Sequence, residues 1–293
     1  MTIGSKMTEF AEVTRQPFIP QERSEWYKVG SLLGEIEGAA QELGLKPEEM
    51  VHIGGISIFY HAYRAIGPKA LVNFRGTHDM DIITFRKGAM QRILDRLKKD
   101  PDSQVEEYHL SRSHLPDKRT LHITFKDSNF PGVLPIIDID YWEFTSGAIA
   151  FNDRRMEKTR IVLDPPEKLE LSTLNPYKKR GLVVVPSLRD TFIIKMDVVD
   201  YSRLGLRPKD RIDVLTMLST CNALGYDFDH LLSALVETSS AESVLRKLNE
   251  LEKVFSNPSR EIEVLGNTNP LLPSKRQIAE ALIRIKHYGQ RLS

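Results

Sequence analysis

Residues 52–84 read HIGGISIFYHAYRAIGPKALVNFRGTHDMDIIT, and the rest of the chain is understood from them. The stretch opens on the pair Gly54-Gly55 and closes on two aspartates, Asp79 and Asp81, with Met80 and Ile82 interleaved. Side chains alternate along a strand, so Asp79 and Asp81 share one face and Met80 and Ile82 the other. Two like charges on one face repel, and a fold that keeps them supplies a cation. A hard divalent ion, held by carboxylate oxygens and completed by substrate phosphates, is the usual solution. Working outward, residues 133–142, VLPIIDIDYW, repeat the alternation, with Asp138 and Asp140 on one face and Ile137, Ile139 and Tyr141 on the other.

At 293 residues the chain has room for one large domain or two modest ones around a substantial core. Lys plus Arg number 41 against 40 for Asp plus Glu, a net charge of +1, which does not suggest a dedicated nucleic-acid binder. The lone Cys221 excludes an internal disulfide and any cysteine-based metal site, and fits a reducing cytosol. It sits in the apolar run 214–224, where a buried structural thiol is the expectation. No apolar stretch approaches a bilayer span, and the N-terminus lacks the apolar core of a signal peptide, so a cytoplasmic protein is expected.

The chain divides into a polar arm (1–21), a strand-bearing part (22–185) and a helical part (186–293). Val29, Leu32, Leu33, Ile36 and Ala40 recur at helical spacing, so a helix is expected from about residue 22 until Gly44. A short segment at 50–53 delivers the chain to the glycines, and a helix starts directly after them. Gly67-Pro68 marks a loop before Arg75. Residues 86–99 form an amphipathic helix with Met90, Ile93, Leu94 and Leu97 on one side. Residues 121–126 alternate as a strand, and the turn signal at 129–132 predicts a hairpin that brings Asp138 and Asp140 near the first aspartate pair. Strands around 160–163 and 181–186, with a turn at Asp164-Pro-Pro between them, close this part. Helices are expected over 188–203, 208–224, 227–237, 241–255 and 275–288. The fold class is therefore α+β: a mixed sheet with flanking helices, followed by a C-terminal helical domain.

Several residue types here carry chemistry. Gly54-Gly55 at a loop-to-helix junction lets backbone N–H groups approach a phosphate, and Ser57 adds a hydroxyl on the first turn. Taken alone, the pair is better explained as a glycine turn. Asp79 and Asp81 are a stronger signal, because free carboxylates on an apolar, buried strand are costly. Arg75 and Thr77 either orient the aspartates or contact a triphosphate, and either equally fits a structural hydrogen-bonding partner. One of Asp138 and Asp140 should be a third metal carboxylate or the base for an acceptor hydroxyl, with Asp138 the first choice. Lys195 lies on the apolar helix segment Phe192-Ile-Ile-Lys-Met, where a lysine needs an anion or a route to solvent. Arg207, Lys209, Asp210 and Asp213 fall at helical spacing, which a helix-starting charge network also explains. His52, His61, His78, His109, His114 and His122 show no zinc-ligand spacing.

The ordered set of His52-Ile-Gly-Gly-Ile-Ser-Ile58, Arg75-Gly-Thr-His-Asp79-Met-Asp81 and Ile137-Asp138-Ile-Asp140 resembles the nucleotidyltransferase superfamily, the DNA polymerase β-like fold. Lys195 and Arg207-Pro-Lys209-Asp210-Arg-Ile-Asp213 are similar to the pattern of the branch containing the AbiEii and MenT type nucleotidyltransferase toxins. The resemblance covers about residues 51–218. It implies that Asp79 and Asp81 hold Mg²⁺ (or Mn²⁺), with Asp138 or Asp140 completing the site. It also implies that Gly54, Gly55 and Ser57 cradle a nucleoside triphosphate, that Arg75, Thr77 and Lys209 contact it, and that Lys195 binds phosphate. The implied reaction moves a nucleoside monophosphate to an acceptor hydroxyl or phosphate. Transfer RNA is among the implied acceptors, and an antitoxin protein is an implied partner. One departure is the span from Gly55 to Asp79 (79 − 55 = 24 positions), longer than in the most compact members, which predicts an insertion that loops out.

Other readings stay open at this point. An Asp-x-Asp motif also serves glycosyltransferases that use a sugar-nucleotide. A non-catalytic nucleotide-binding module would bind without turnover. A phosphatase site at Asp138-x-Asp140 is disfavoured by the bulky Tyr141-Trp142.

Overall fold

The computed structural model describes residues 20–75, 77, 79–112, 118–125, 136–143, 148–152, 158–162, 167–170, 182–202, 205–266 and 268–292. His78, His114, the turn signals at 129–132 and 164–166, residues 133–135 and the first nineteen residues of the arm lie outside these.

The first helix, α1, spans Pro20–Glu42 and ends where Gly44 turns left-handed at φ 68°. Strand β1 (Met50–Ile53) leads directly into α2 (Gly54–Ile66), so the helix begins at the glycines themselves. A short helix, α3 (Ala70–Asn73), precedes β2 (Asp79–Thr84), and α4 (Ala89–Lys99) follows it. The 24 positions between Gly55 and Asp79 are thus filled by α2, a tight turn at Gly67–Lys69 and α3. Next come β3 (Val105–Arg112), β4 (Lys118–Phe125) and β5 (Ile136–Glu143). Strands β6 (Ala148–Asn152) and β7 (Lys158–Val162) pair with each other, as do β8 (Glu167–Glu170) and β9 (Leu182–Val185).

Five strands make one mixed sheet in the order β1-β2-β5-β4-β3. The β2–β5 pair is parallel and the other three pairs are antiparallel. The expected antiparallel relation of the strands around 121–126 and 136–142 is present as β4 and β5. Strand β3 had no signal in the sequence, because it is an outer strand whose Glu106, Glu107, His109 and Leu110 are exposed. Its residues need not alternate between apolar and polar.

The two sheet faces differ because the strands alternate. Met80, Ile82, Leu121, Ile123, Ile137, Ile139 and Tyr141 are buried on one face. They share a core with Leu32, Leu33 and Ile36 of α1 and with Met90, Ile93 and Leu94 of α4. Each such side chain contributes about 1.5–3 kcal/mol on burial. The register then commits the aspartates to the opposite face.

Beyond Val185 the chain forms α5 (Leu188–Met196), α6 (Val198–Tyr201), α7 (Pro208–Ala223), α8 (Asp229–Thr238), α9 (Ala241–Ser256), α10 (Ser259–Leu265) and α11 (Lys275–Leu292). A single helix was expected over 188–203; instead it tightens at Asp197, where Asp200 N–H donates to the Asp197 carbonyl at 3.0 Å. The Asp197 carboxylate is taken by Lys247 Nζ of α9 at 2.5 Å. Helix α2 packs against α5 and α7, and apolar residues on both sides of Val185 join one buried cluster. Among the described residues no helix is long and apolar enough to cross a membrane.

Candidate active site

The turn between β1 and α2 explains the glycine pair. Gly54 sits at φ 63°, and a Cβ built there would lie 2.1 Å from Asp81 Oδ2. A Cβ on Gly55 would lie 2.8 Å from Thr77 Cβ. Glycines at both positions therefore let the start of α2 close onto the aspartate-bearing segment. Ser57 is fully buried and donates to the Gly54 carbonyl at 2.9 Å, so its hydroxyl braces the turn.

Strand pairing sets the carboxylates side by side. In the parallel register Asp79 faces Asp138 and Asp81 faces Asp140, while Ile53 faces Asp81 across the β1–β2 pair. Thr77 Oγ1 donates to Asp79 Oδ1 at 2.6 Å, and Lys209 Nζ lies 3.1 Å from Asp79 Oδ2. Thr77 thus hydrogen-bonds an aspartate, while Arg75 reaches Asp213. Thr120 Oγ1 of β4 donates to Asp140 Oδ1 at 2.5 Å. Asp138 takes a different partner: His122 Nδ1 lies 2.7 Å away, and His122 Nε2 in turn lies 3.1 Å from Ser111 Oγ.

Asp81 carries most of the electrostatic conflict. Loss of surrounding water pushes its carboxyl from 3.8 up to about 7, and the neighbouring Asp79 and Asp140 push the same way. Lys195 and Lys209 oppose the rise without cancelling it.

Cations come from the helical half. Lys195 of α5 is buried and lies 3.0 Å from Asp210 Oδ1 and 2.8 Å from Asp213 Oδ2, both on α7. Arg75 grips Asp213 with two parallel bonds of 2.6 and 2.9 Å. Arg207 Nε reaches Asp210 Oδ2 at 2.6 Å. Burial acts to lower the Lys195 ammonium, but Asp213 and Asp210 outweigh it and hold it above its ordinary value. Burial likewise acts to raise Asp213, and Arg75 and Lys195 outweigh it and hold the carboxyl low. The anion that Lys195 needs is thus supplied first by α7. Asp210 and Asp213 belong to this charge network and do not join Asp79 and Asp81.

These groups surround one cavity of about 300 Å³. Gly54, Gly55, Arg75, Asp79, Asp81, Asp140, Lys195, Arg207 and Lys209 all line it. Asp138, Ser57 and Thr77 are not in its wall. Of the two aspartates on β5, Asp140 stands in the cavity with Asp79 and Asp81. Asp138 stands beside it, half exposed, with His122. Among the described residues no three His, Cys, Asp or Glu side chains form a ready-made metal cage.

No family model matches the chain, and no curated protein does. Solved structures do. The chain is similar to the JHP933 protein of Helicobacter pylori at 11% identity, over 89% of this chain and 90% of that one, with a TM-score of 0.46. It is also similar to MenT4, a nucleotidyltransferase toxin from Mycobacterium tuberculosis H37Rv, at 12% identity over 97% and 92% of the two chains, with a TM-score of 0.42.

Sequence reasoning missed part of the cavity wall. Trp142 follows Asp140 on the same face of β5, and Thr191, Ile194, Val198 and Ser202 line the wall with Lys195. Positions 191, 194, 195, 198 and 202 recur at helical spacing, so the lysine's own helix face held the signal. Cys221 is buried, and burial pushes its thiol up to about 12, as a structural thiol requires.

Proposed function

We propose that this chain is a metal-dependent nucleotidyltransferase that moves a nucleoside monophosphate from a nucleoside triphosphate to an acceptor hydroxyl or phosphate. One observation carries the reading. Three carboxylates, Asp79, Asp81 and Asp140, share a cavity wall with the glycine turn under Asp81 and with Lys195 and Lys209. Such a concentration of unlike and like charges in a half-closed space is what a polyphosphate with its counter-ion would resolve.

The donor set fits Mg²⁺ or Mn²⁺. Magnesium needs one or two carboxylates, keeps several waters and takes substrate phosphates, so it does not require a closed protein cage. Asp79 and Asp81 would hold it, with Asp140 as the third oxygen ligand. Its chemistry there would be to stabilise charge on the attacking and leaving oxygens.

The chain's own residues supply the rest. The first turn of α2, at Gly54 and Gly55, would receive the phosphates on backbone N–H groups. Lys209 would exchange its contact with Asp79 for a phosphate oxygen once the carboxylate has another cation. Lys195, held by Asp210 and Asp213, would keep a fixed positive charge in the wall, and Arg75 would fix Asp213 in turn. The acceptor oxygen attacks the α-phosphorus, the bond to the β-phosphate oxygen breaks, and pyrophosphate leaves. His122 with Asp138 lies beside the cavity, where it would take the acceptor proton. Transfer RNA, proteins and small molecules are all acceptors to screen.

Thermal denaturation with each nucleoside triphosphate, with and without Mg²⁺, tests the reading. A ligand specific to the folded state adds about 2.7 kcal/mol at 100 times its dissociation constant. Metal-dependent stabilisation by a triphosphate, lost in Asp79→Asn, is expected. No shift with any triphosphate at millimolar concentration, or stabilisation only by sugar-nucleotides, would overturn it.

A further inference from the structure

The cavity has a second chemical character that the carboxylates and lysines do not explain. Beside its charged groups, the wall carries Ile53, Ile58, Trp142, Ile194 and Val198. Trp142 is the aromatic side chain in that wall, and it is half-buried. Its position follows from the strand. Asp140 and Trp142 are two residues apart on β5, so they share a face and stand about 7 Å apart along it. Trp142 is opposite Ile83 of β2, two positions beyond the Asp81–Asp140 pair and in the same direction. The indole is therefore placed one short step from the carboxylates, on the same sheet face and in the same cavity.

A nucleotide has the same two-part character: a charged phosphate chain joined through a sugar to a flat aromatic base. We propose that Trp142 is the stacking platform for the nucleobase of the donor triphosphate, with Ile194 and Val198 of the α5–α6 segment closing the base in. This rests on the triphosphate reading of the same site and specifies which part of the wall takes which part of the substrate. Two polar wall groups already have partners: Asp197 Oδ1 is held by Lys247, and Thr191 Oγ1 lies 3.5 Å from the Pro186 carbonyl. The face of the base is what the indole would recognise. Stacking accepts every base, so the site takes purine and pyrimidine triphosphates, with the larger purine surface moderately preferred.

The chain has two tryptophans, so in a Trp26→Phe background Trp142 is the sole indole reporter. The ligands are Mg-ATP, Mg-UTP and Mg-tripolyphosphate, the last carrying the phosphate chain without a base. Binding is read by calorimetry and by indole fluorescence. The expected result is quenching of Trp142 by both nucleotides and not by tripolyphosphate. In Trp142→Ala, both nucleotides should bind about 5- to 150-fold more weakly while tripolyphosphate binds as before. Retained tripolyphosphate binding also shows that the variant is folded, and Trp142→Phe should recover most of the loss. If both ligand types bind the parent protein but Trp142→Ala weakens neither, or weakens both equally, stacking is refuted while the triphosphate reading stands. If neither nucleotide nor tripolyphosphate binds the parent protein, the triphosphate reading itself fails and this inference falls with it.

Discussion

Replacing Asp81 with asparagine removes the carboxylate that pays most for its surroundings, and the size of the effect follows from its titration. In the folded protein its pKa rises from 3.8 to about 7, through loss of water and then through Asp79 and Asp140. Between those two values the folded state holds a proton that the unfolded chain releases, so Asp81 destabilises progressively as pH rises through that window. At 1.36 kcal/mol for each tenfold change, the full cost above pH 7 is about 4 kcal/mol. The asparagine amide must still find partners beside Gly54, which returns part of the gain. The net expectation for metal-free Asp81→Asn at pH 8 is a stabilisation of about 1–3 kcal/mol, with the difference vanishing near pH 4. Chemical denaturation in chelator at both pH values measures it. Adding Mg²⁺ with a triphosphate should then reverse the order, because only the parent protein keeps the ligand. A variant less stable than the parent at pH 8 in chelator, or equally stabilised at pH 4 and pH 8, would refute the reasoning.

Other perturbations have equally defined outcomes. Gly54→Ala puts a Cβ 2.1 Å from Asp81 Oδ2 at a left-handed φ of 63°. Since the carboxylate can swing away, stability should fall by only about 1–2 kcal/mol, while metal-dependent stabilisation by triphosphate is abolished; thermal shifts with and without ligand separate the two effects. Asp213→Ala removes the bidentate carboxylate from Arg75 and one of the two carboxylates from Lys195, which keeps Asp210, and should cost about 3–5 kcal/mol in denaturant unfolding. Because the folded Asp213 is held below its ordinary value, its stabilising contribution is complete above about pH 4 and is lost only as pH falls below that. Lys209→Met removes a partly exposed pair with Asp79, so unfolding should change by less than about 1 kcal/mol. Calorimetry should nevertheless show triphosphate affinity reduced.

Local pattern carried a good deal of this site. Strand alternation alone put Asp79 with Asp81 and Asp138 with Asp140, and the parallel β2–β5 register brings those pairs together. The helix after the glycines, the amphipathic α4 and most of the C-terminal helices follow apolar periodicity that is visible in the residues themselves. What stayed hidden depends on distant partners. Gly54 is required by the approach of Asp81, 27 positions later (81 − 54 = 27), and no local rule announces that contact. Lys195 looked like a lysine seeking a phosphate because Asp210 and Asp213 reach it only once α7 has packed. Asp138 and Asp140 look alike in the sequence and differ through β4, which places His122 against Asp138 and Thr120 against Asp140. Trp142 was read only for its bulk, since its role as a cavity wall exists only once α5 faces the sheet.

The central claim is cleavage between the α- and β-phosphates, and the fate of two labels tests it most directly. The protein, Mg²⁺ and a triphosphate labelled at either the α- or the γ-phosphate are incubated with a whole-cell extract as the source of acceptor. The account predicts that α-label enters an acceptor while γ-label leaves as pyrophosphate, both lost in Asp81→Asn and in chelator. Release of γ-label as orthophosphate, or consumption of triphosphate that Asp81→Asn leaves intact, would contradict it.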